Sequence, residues 1–132
     1  MGVRALTLNG LSDERSLSSA ATGGIPFVLE VATKASTTTY RVWDKSCPRS
    51  CRIIDVYGIM TGAGAALDTV KVTDGTNDIT DTVDLSAKGD TDRFSVGELD
   101  DDYTDLNAGA SLRVVTVSDA LVRLYIVGVW TD

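Results

Sequence analysis

The stretch Thr69-Val70-Lys71-Val72-Thr73-Asp74-Gly75-Thr76-Asn77-Asp78-Ile79-Thr80-Asp81-Thr82-Val83-Asp84-Leu85 decides the fold class. Thr69 to Thr73 and Asn77 to Leu85 are both dense in β-branched residues, and Asp74-Gly75-Thr76 joins them. Asp-Gly between two β runs is a strong hairpin signal, because the turn needs residues that tolerate positive φ. In the second run Ile79, Asp81, Val83 and Leu85 share one face of a strand, and Asp78, Thr80, Thr82 and Asp84 share the other. The second face is built for water.

The same reading extends in both directions. Toward the N-terminus, Arg52 to Met60 is nearly continuous in Ile, Val and Tyr, which predicts a central strand covered on both sides. Thr61-Gly62-Ala63-Gly64 ends it. Thr38 to Asp44 carries the β-formers Tyr40, Val42 and Trp43. Ile25, Phe27, Leu29 and Val31 alternate with Pro26, Val28, Glu30 and Ala32, as a strand with one buried face should. Toward the C-terminus, a Gly89-Asp90 loop precedes a strand from Arg93 to Leu99, and Asn107-Ala108-Gly109 turns the chain into Leu112 to Val117. Leu121 to Trp130 alternates to the end. These are eight strands with turn signals between them and no long helical pattern, and sixteen threonines and fifteen valines agree. The expectation is an all-β fold, an eight-stranded β-sandwich of jelly-roll type. No repeat of the length used by propellers or solenoids is evident.

Residues 1–24 read differently. They are polar and small, with scattered Leu6, Leu8, Leu11 and Leu17 and no steady period, so they form an extended N-terminal arm ahead of a sandwich domain at 25–132. Met1-Gly2-Val3-Arg4 opens no hydrophobic stretch of signal-peptide length, so synthesis in a cytosol is expected. The longest near-apolar run, Leu121 to Trp130, contains Arg123 and is far too short for a bilayer-spanning helix, so no membrane is expected as partner.

Two features of composition narrow the chemistry. The 132 residues include no histidine, which removes Ser-His and Cys-His nucleophilic mechanisms, imidazole bases and His-ligated zinc. Cys47 and Cys51 form a Cys-Pro-Arg-Ser-Cys unit, not the redox Cys-x-x-Cys spacing. They read as a turn carrying two thiols or as a late-forming local disulfide, the thiols being kept reduced during assembly in a cytosol. The net charge of −7 is uneven: residues 1–52 carry +3 and the remainder −10. An acidic surface repels phosphates, so no nucleic acid is expected as partner.

The carboxylates are the only dense reactive group. Asp100, Asp101, Asp102 and Asp105 can offer oxygens to Ca²⁺, as can Asp74 with Asp78, but neither stretch has the spaced Asp pattern with a late Glu. Adjacent side chains of a strand point to opposite faces, so the run reads as a solvated acidic loop in which Asp102 or Asp105 caps a short turn. No catalytic residue, metal or cofactor is expected. Trp43, Tyr57, Tyr103 and Trp130 read either as core or as a sugar-stacking platform. Gly62-Ala63-Gly64 lacks the Gly-Lys-Ser/Thr ending of a phosphate loop and reads as a tight connection.

Several stretches together resemble small structural proteins of tailed-bacteriophage virions, among them head decoration (cement) proteins. They are Arg52-Ile53-Ile54-Asp55-Val56-Tyr57-Gly58, Met60-Thr61-Gly62-Ala63-Gly64-Ala65, Val72-Thr73-Asp74-Gly75-Thr76-Asn77-Asp78-Ile79-Thr80-Asp81 and Leu99-Asp100-Asp101-Asp102-Tyr103. Asn107-Ala108-Gly109-Ala110-Ser111-Leu112-Arg113-Val114 and Tyr125-Ile126-Val127-Gly128-Val129 complete the set. The resemblance covers about two-thirds of the chain and leaves residues 1–40 outside. It implies a non-enzymatic β-sandwich subunit, often a homotrimer, that sits on the outer capsid lattice and reinforces it, with the major capsid protein and its own copies as partners. It carries over no site residue. An arm that reaches a neighbour fits that role. The candidate capsid or subunit contacts are accordingly Arg4, Leu6, Leu8, Leu11, Arg15 and Leu17 in the arm, with Arg41, Lys45, Arg49 and Arg52. The competing expectation is a receptor- or glycan-binding sandwich of a tail fibre or capsid surface, with its aromatic platform exposed.

Overall fold

The longest strand in the computed structural model, which describes residues 24–131, is Cys51–Met60, and the others assemble around it. In chain order the strands are β1 (Pro26–Ala32), β2 (Thr39–Trp43), β3 (Cys51–Met60), β4 (Thr69–Thr73), β5 (Val83–Asp84), β6 (Arg93–Ser95), β7 (Asp105–Leu106), β8 (Leu112–Val117) and β9 (Val122–Trp130). No helix occurs among the described residues. The strands form two antiparallel sheets: β1-β9-β3-β6, with β7 also on β3, and β2-β8-β4-β5. The sheets share one hydrophobic core, the arrangement of a β-sandwich.

Period two dictates what fills that core. Ile53, Val56 and Met60 of β3 and Val122, Leu124 and Ile126 of β9 face Val70 and Val72 of β4 and Leu112 and Val114 of β8, all almost fully buried. Two inward positions of the first sheet are glycines. Gly58 pairs with Phe94 and Gly128 with Phe27, and each phenylalanine ring lies over the glycine opposite it. A Cβ at either glycine would collide with that ring, so the missing side chain is the space the ring occupies. At the end where β1 starts and β9 stops, Phe27 stacks on Trp130 (centroids 4.3 Å apart) and Trp43 closes the cluster at 6.1 Å from each.

The sequence expectations need four corrections. First, β3 is not covered on both sides. Its inward residues are buried, while Ile54 and Tyr57 are 49% and 40% exposed. Its apolar run reflects an outer face that is itself apolar, and a bulge at Ile54 shifts the register against β9. Second, the hairpin turn forms as expected, but its second strand does not run straight. The Asp74 N–H donates to the Asn77 carbonyl (3.0 Å), and Gly75 takes a φ of 98°. The Val72 carbonyl then accepts from the amides of both Ile79 (2.8 Å) and Thr80 (3.2 Å), while the Thr80 hydroxyl accepts from the Val72 N–H (3.0 Å). This side-chain substitute for a ladder bond turns Thr80 inward and Asp81 outward, the reverse of the alternation, and leaves only Val83–Asp84 as strand. Third, the strand expected over Arg93–Leu99 is shortened to Arg93–Ser95. Fourth, nine strands rather than eight occur among the described residues, because Asp105–Leu106 pairs with Cys51 and Arg52 where the sequence reads as loop.

Candidate functional site

The two sheets present unlike outer faces. On the second sheet the outward positions of β2, β4 and β8 include Thr39, Arg41, Thr69, Lys71 and Arg113, together with Val115 and Val117, and Lys71 pairs with Asp78 (3.1 Å). Threonine and charge on a half-solvated strand is what water requires. On the first sheet the outward positions include Val28 on β1, Tyr125, Val127 and Val129 on β9, and Ile54, Tyr57 and Ile59 on β3, with the charged Asp55 opposite Val127 and Arg52 opposite Val129. Val28 is 56% exposed. Tyr57 and Tyr125 are directly opposite in the ladder and stack at 5.3 Å with 24° between their planes.

Three polar groups of this face form one cluster. Glu30 accepts from the Tyr125 hydroxyl (3.2 Å) and pairs with the Arg123 guanidinium (3.2 Å). Apart from the exposed Asp55, the surface between this cluster and the Arg52–Asp105 pair is mainly apolar and aromatic. Beside the tyrosines, where β6 forms the sheet edge, a groove of about 570 Å³ is lined by Tyr57, Gly58, Ile59, Arg93, Phe94, Ser95 and Tyr125.

The basic residues singled out from the sequence fall at one end of the sandwich. Arg41 is exposed on β2, opposite Arg113. Lys45 is exposed in the β2–β3 loop, and its N–H donates to the Ser111 hydroxyl (3.0 Å). Arg49 holds its guanidinium 5.8 Å from the centre of the Trp130 ring. Arg52 forms a two-point pair with Asp105, Nε to Oδ1 at 2.6 Å and the terminal nitrogen to Oδ2 at 3.2 Å. The hydrogen bond to Asp105 raises the Arg52 pKa, and the same bond holds the Asp105 carboxyl below the usual carboxylate range. Gly24, the first described residue, lies against the Trp130 carbonyl at this same end. Arg4, Leu6, Leu8, Leu11, Arg15 and Leu17 lie outside the described residues.

The acidic stretch divides. Asp105 is engaged by Arg52, and Asp100, not Asp102 or Asp105, caps the turn by accepting from the Asp102 N–H (3.0 Å). Among the described residues no three His, Cys, Asp or Glu side chains converge. Burial pushes the Asp74 carboxyl up, but the amides of Asn77 (2.6 Å) and Thr76 (2.9 Å) outweigh it and hold that pKa low. Asp74 is thus committed to its own turn. Of the four candidate platform aromatics, Trp43, Tyr103 and Trp130 pack against the core, and only Tyr57 is exposed. Its stacking partner is the half-buried Tyr125, which sequence reasoning did not single out. The signal was there, since Leu124 and Ile126 flank it on the buried phase of the same strand.

A scan against protein-family models finds no match, and a search of curated proteins finds no relative.

Proposed function

We propose that this chain is a non-enzymatic structural subunit of a tailed-phage virion, a capsid decoration protein that binds the outer capsid lattice and reinforces it. The observation that carries the reading is the mainly apolar outer face of the first sheet, set against a second face richer in threonine and charge. A subunit attached on one side needs one face that gains by losing water and another that does not. In this reading the first face packs against neighbouring copies, giving a homotrimer. The end bearing Arg41, Lys45, Arg49 and Arg52, with residues 1–24, addresses the major capsid protein.

The sandwich, in this reading, is a jelly roll. The pairs β1·β9, β2·β8, β3·β6 and β4·β5 alternate between the two sheets. That is the order obtained when one long hairpin, closed at the β4–β5 turn, is wrapped into two layers. The two-residue β7 is an addition to those eight strands.

One observation favours a second reading. The stack of exposed Tyr57 on half-buried Tyr125, beside a groove containing Arg93, is also what a glycan-binding module on a tail fibre or capsid surface would present. Cosedimentation of the purified protein with undecorated capsid shells, with light scattering on the free protein, separates the two. Saturable binding at a lattice stoichiometry with trimers supports decoration. Absence of binding, together with retention on a glycan array lost in Tyr57→Ala, replaces it with the adhesin.

A further inference from the structure

We infer that Cys47 and Cys51 are a redox modification site, oxidised by a small-molecule disulfide to an intramolecular cystine that locks the crossing between the two sheets. The inference is independent of the virion reading. The two Sγ atoms stand 3.9 Å apart, and both residues are buried, at 3% and 1% exposure. A disulfide bond is about 2 Å long, so the sulfurs have less than about 2 Å to travel. The chain contains no other cysteine, so within one copy only this pairing exists.

The backbone already holds both ends. Cys51 opens β3, paired to Leu106 on β7 and to Trp130 on β9. The Cys47 N–H donates to the Ala110 carbonyl (3.0 Å), and its own carbonyl accepts from Gly109 (2.8 Å). The three residues between them, Pro48, Arg49 and Ser50, are tied at Ser50, whose carbonyl accepts from Thr131 (2.9 Å). Proline further limits the unfolded excursions of so short a loop. The second thiol therefore acts on the first at a high effective concentration. Oxidation would fix the segment that carries Arg49 over Trp130 and leads from the second sheet into the first.

The chemistry balances without further reactants. The deprotonated Cys47 sulfur attacks one sulfur of the small disulfide RSSR, the RS–SR bond breaks, and RS⁻ leaves and takes a proton. The Cys51 thiolate then attacks the Cys47 sulfur of the mixed disulfide, the Cys47–SR bond breaks, and the second RS⁻ leaves. Two protein thiols are oxidised, and RSSR is reduced to two RSH. Burial slows the first attack in the folded protein, so the test is made at equilibrium through unfolding and refolding.

The full-length chain is unfolded in urea, refolded with reduced or with oxidised glutathione, acid-quenched, alkylated with iodoacetamide and weighed intact. After oxidised glutathione, the expected product is a monomer lighter by the two hydrogens lost, with no alkyl group, outnumbering the glutathione adduct at least about tenfold. Its Tm should exceed that of the reduced form by about 3–8 °C, as closure of a short loop allows. Two alkylated thiols, a persistent glutathione adduct or disulfide-linked dimers would overturn the inference. So would an oxidised monomer whose Tm is no higher than that of the reduced form. Cys51→Ser supplies the second arm: it should stop at the glutathione adduct on Cys47, and failure to form any adduct would remove Cys47 from the proposed sequence.

Discussion

Tyr125 and Val117 both occupy outward positions on central strands, yet their surroundings differ. Around Tyr125 on the first sheet lie Tyr57, Val127, Ile59 and the Arg123–Glu30 pair; around Val117 on the second lie Thr69 and exposed loop residues. Val117, 51% exposed, has only the half-buried Val115 as an apolar neighbour on its strand's outer phase, a small patch of the kind any soluble domain carries. The first face instead gathers its apolar groups into one field and holds part of its charge in mutual pairs. An exposed valine is uninformative alone. Its neighbours decide whether the surface is for solvent or for a partner.

The largest expected effect tests whether that outer face is presentation or structure. Leu124→Ala removes a fully buried side chain between the sheets and should cost about 2–5 kcal/mol in urea unfolding. Tyr125→Ala, one residue along and facing out, should cost about 1 kcal/mol, mainly the ring contact with Tyr57. Equal losses would make the tyrosine stack a structural device and break the contrast.

Association comes next. In the decoration reading, Val28→Asp combined with Tyr57→Asp should weaken self-association and shell occupancy by about 100-fold, the scale of losing one strong anchor. Val117→Asp, matched in exposure to Val28 but on the other face, should leave both within about threefold and stability within about 1 kcal/mol, while the double variant, which also loses the tyrosine stack, should cost about 1–2 kcal/mol. The measurements are sedimentation velocity and cosedimentation with shells. A loss in Val117→Asp equal to that in the double variant would assign the contact to the wrong sheet.

How much of this was legible in the sequence depends on which interaction sets each element. Where hydrophobic period and turn chemistry agree, as in β1, β9 and the Asp74-Gly75 turn, strand and buried face follow from the residues. The Val83 segment was misread because Thr80 satisfies the Val72 amide with its hydroxyl, a bond between side chain and backbone that no period encodes. The two-sided burial expected of β3 failed because an apolar outer face mimics a covered one in a single strand's sequence. Strand β7 consists of two residues, and β3 pairs with it across more than fifty positions of chain. The connection after Gly64 turns at Leu67, whose φ is 72°, so even the left-handed residue there is not the glycine that the turn signal marks. The candidate site was half legible: the alternation places Tyr57 and Tyr125 outward, whereas their pairing needed the register.

Both sheets also carry carboxylates whose pKa is held low, Asp105 on the first, and Asp74 at the turn and Asp84, which accepts from the Ser86 N–H, on the second. With folded-state values below the unfolded value of about 3.9, their stabilisation is complete above that pH and fades as pH falls through the folded values. The urea midpoint should therefore hold steady from about pH 7 to pH 5 and drop below about pH 4. Asp74→Asn keeps an oxygen for the Thr76 and Asn77 amides, so it should leave neutral stability nearly unchanged and make the acid limb shallower. A limb as steep as in the parent chain would remove Asp74 from the account.

The smallest effect makes the finest comparison. Each outer face carries an exposed ion pair, Arg123–Glu30 at 3.2 Å on the first and Lys71–Asp78 at 3.1 Å on the second. In the stability of the isolated subunit, double-mutant cycles should return about 0.2–1 kcal/mol for both, because water and salt screen them alike. The faces should part company when the same cycles are read on association. A pair enclosed with the first face loses its water, and its coupling should rise above about 1.5 kcal/mol, while Lys71–Asp78 stays near zero in association. Salt discriminates again, since an enclosed pair is screened less than an exposed one. If both couplings stay near zero on association, Glu30 and Arg123 remain in water in the complex, and the contact is confined to the apolar strip from Val28 to Tyr57.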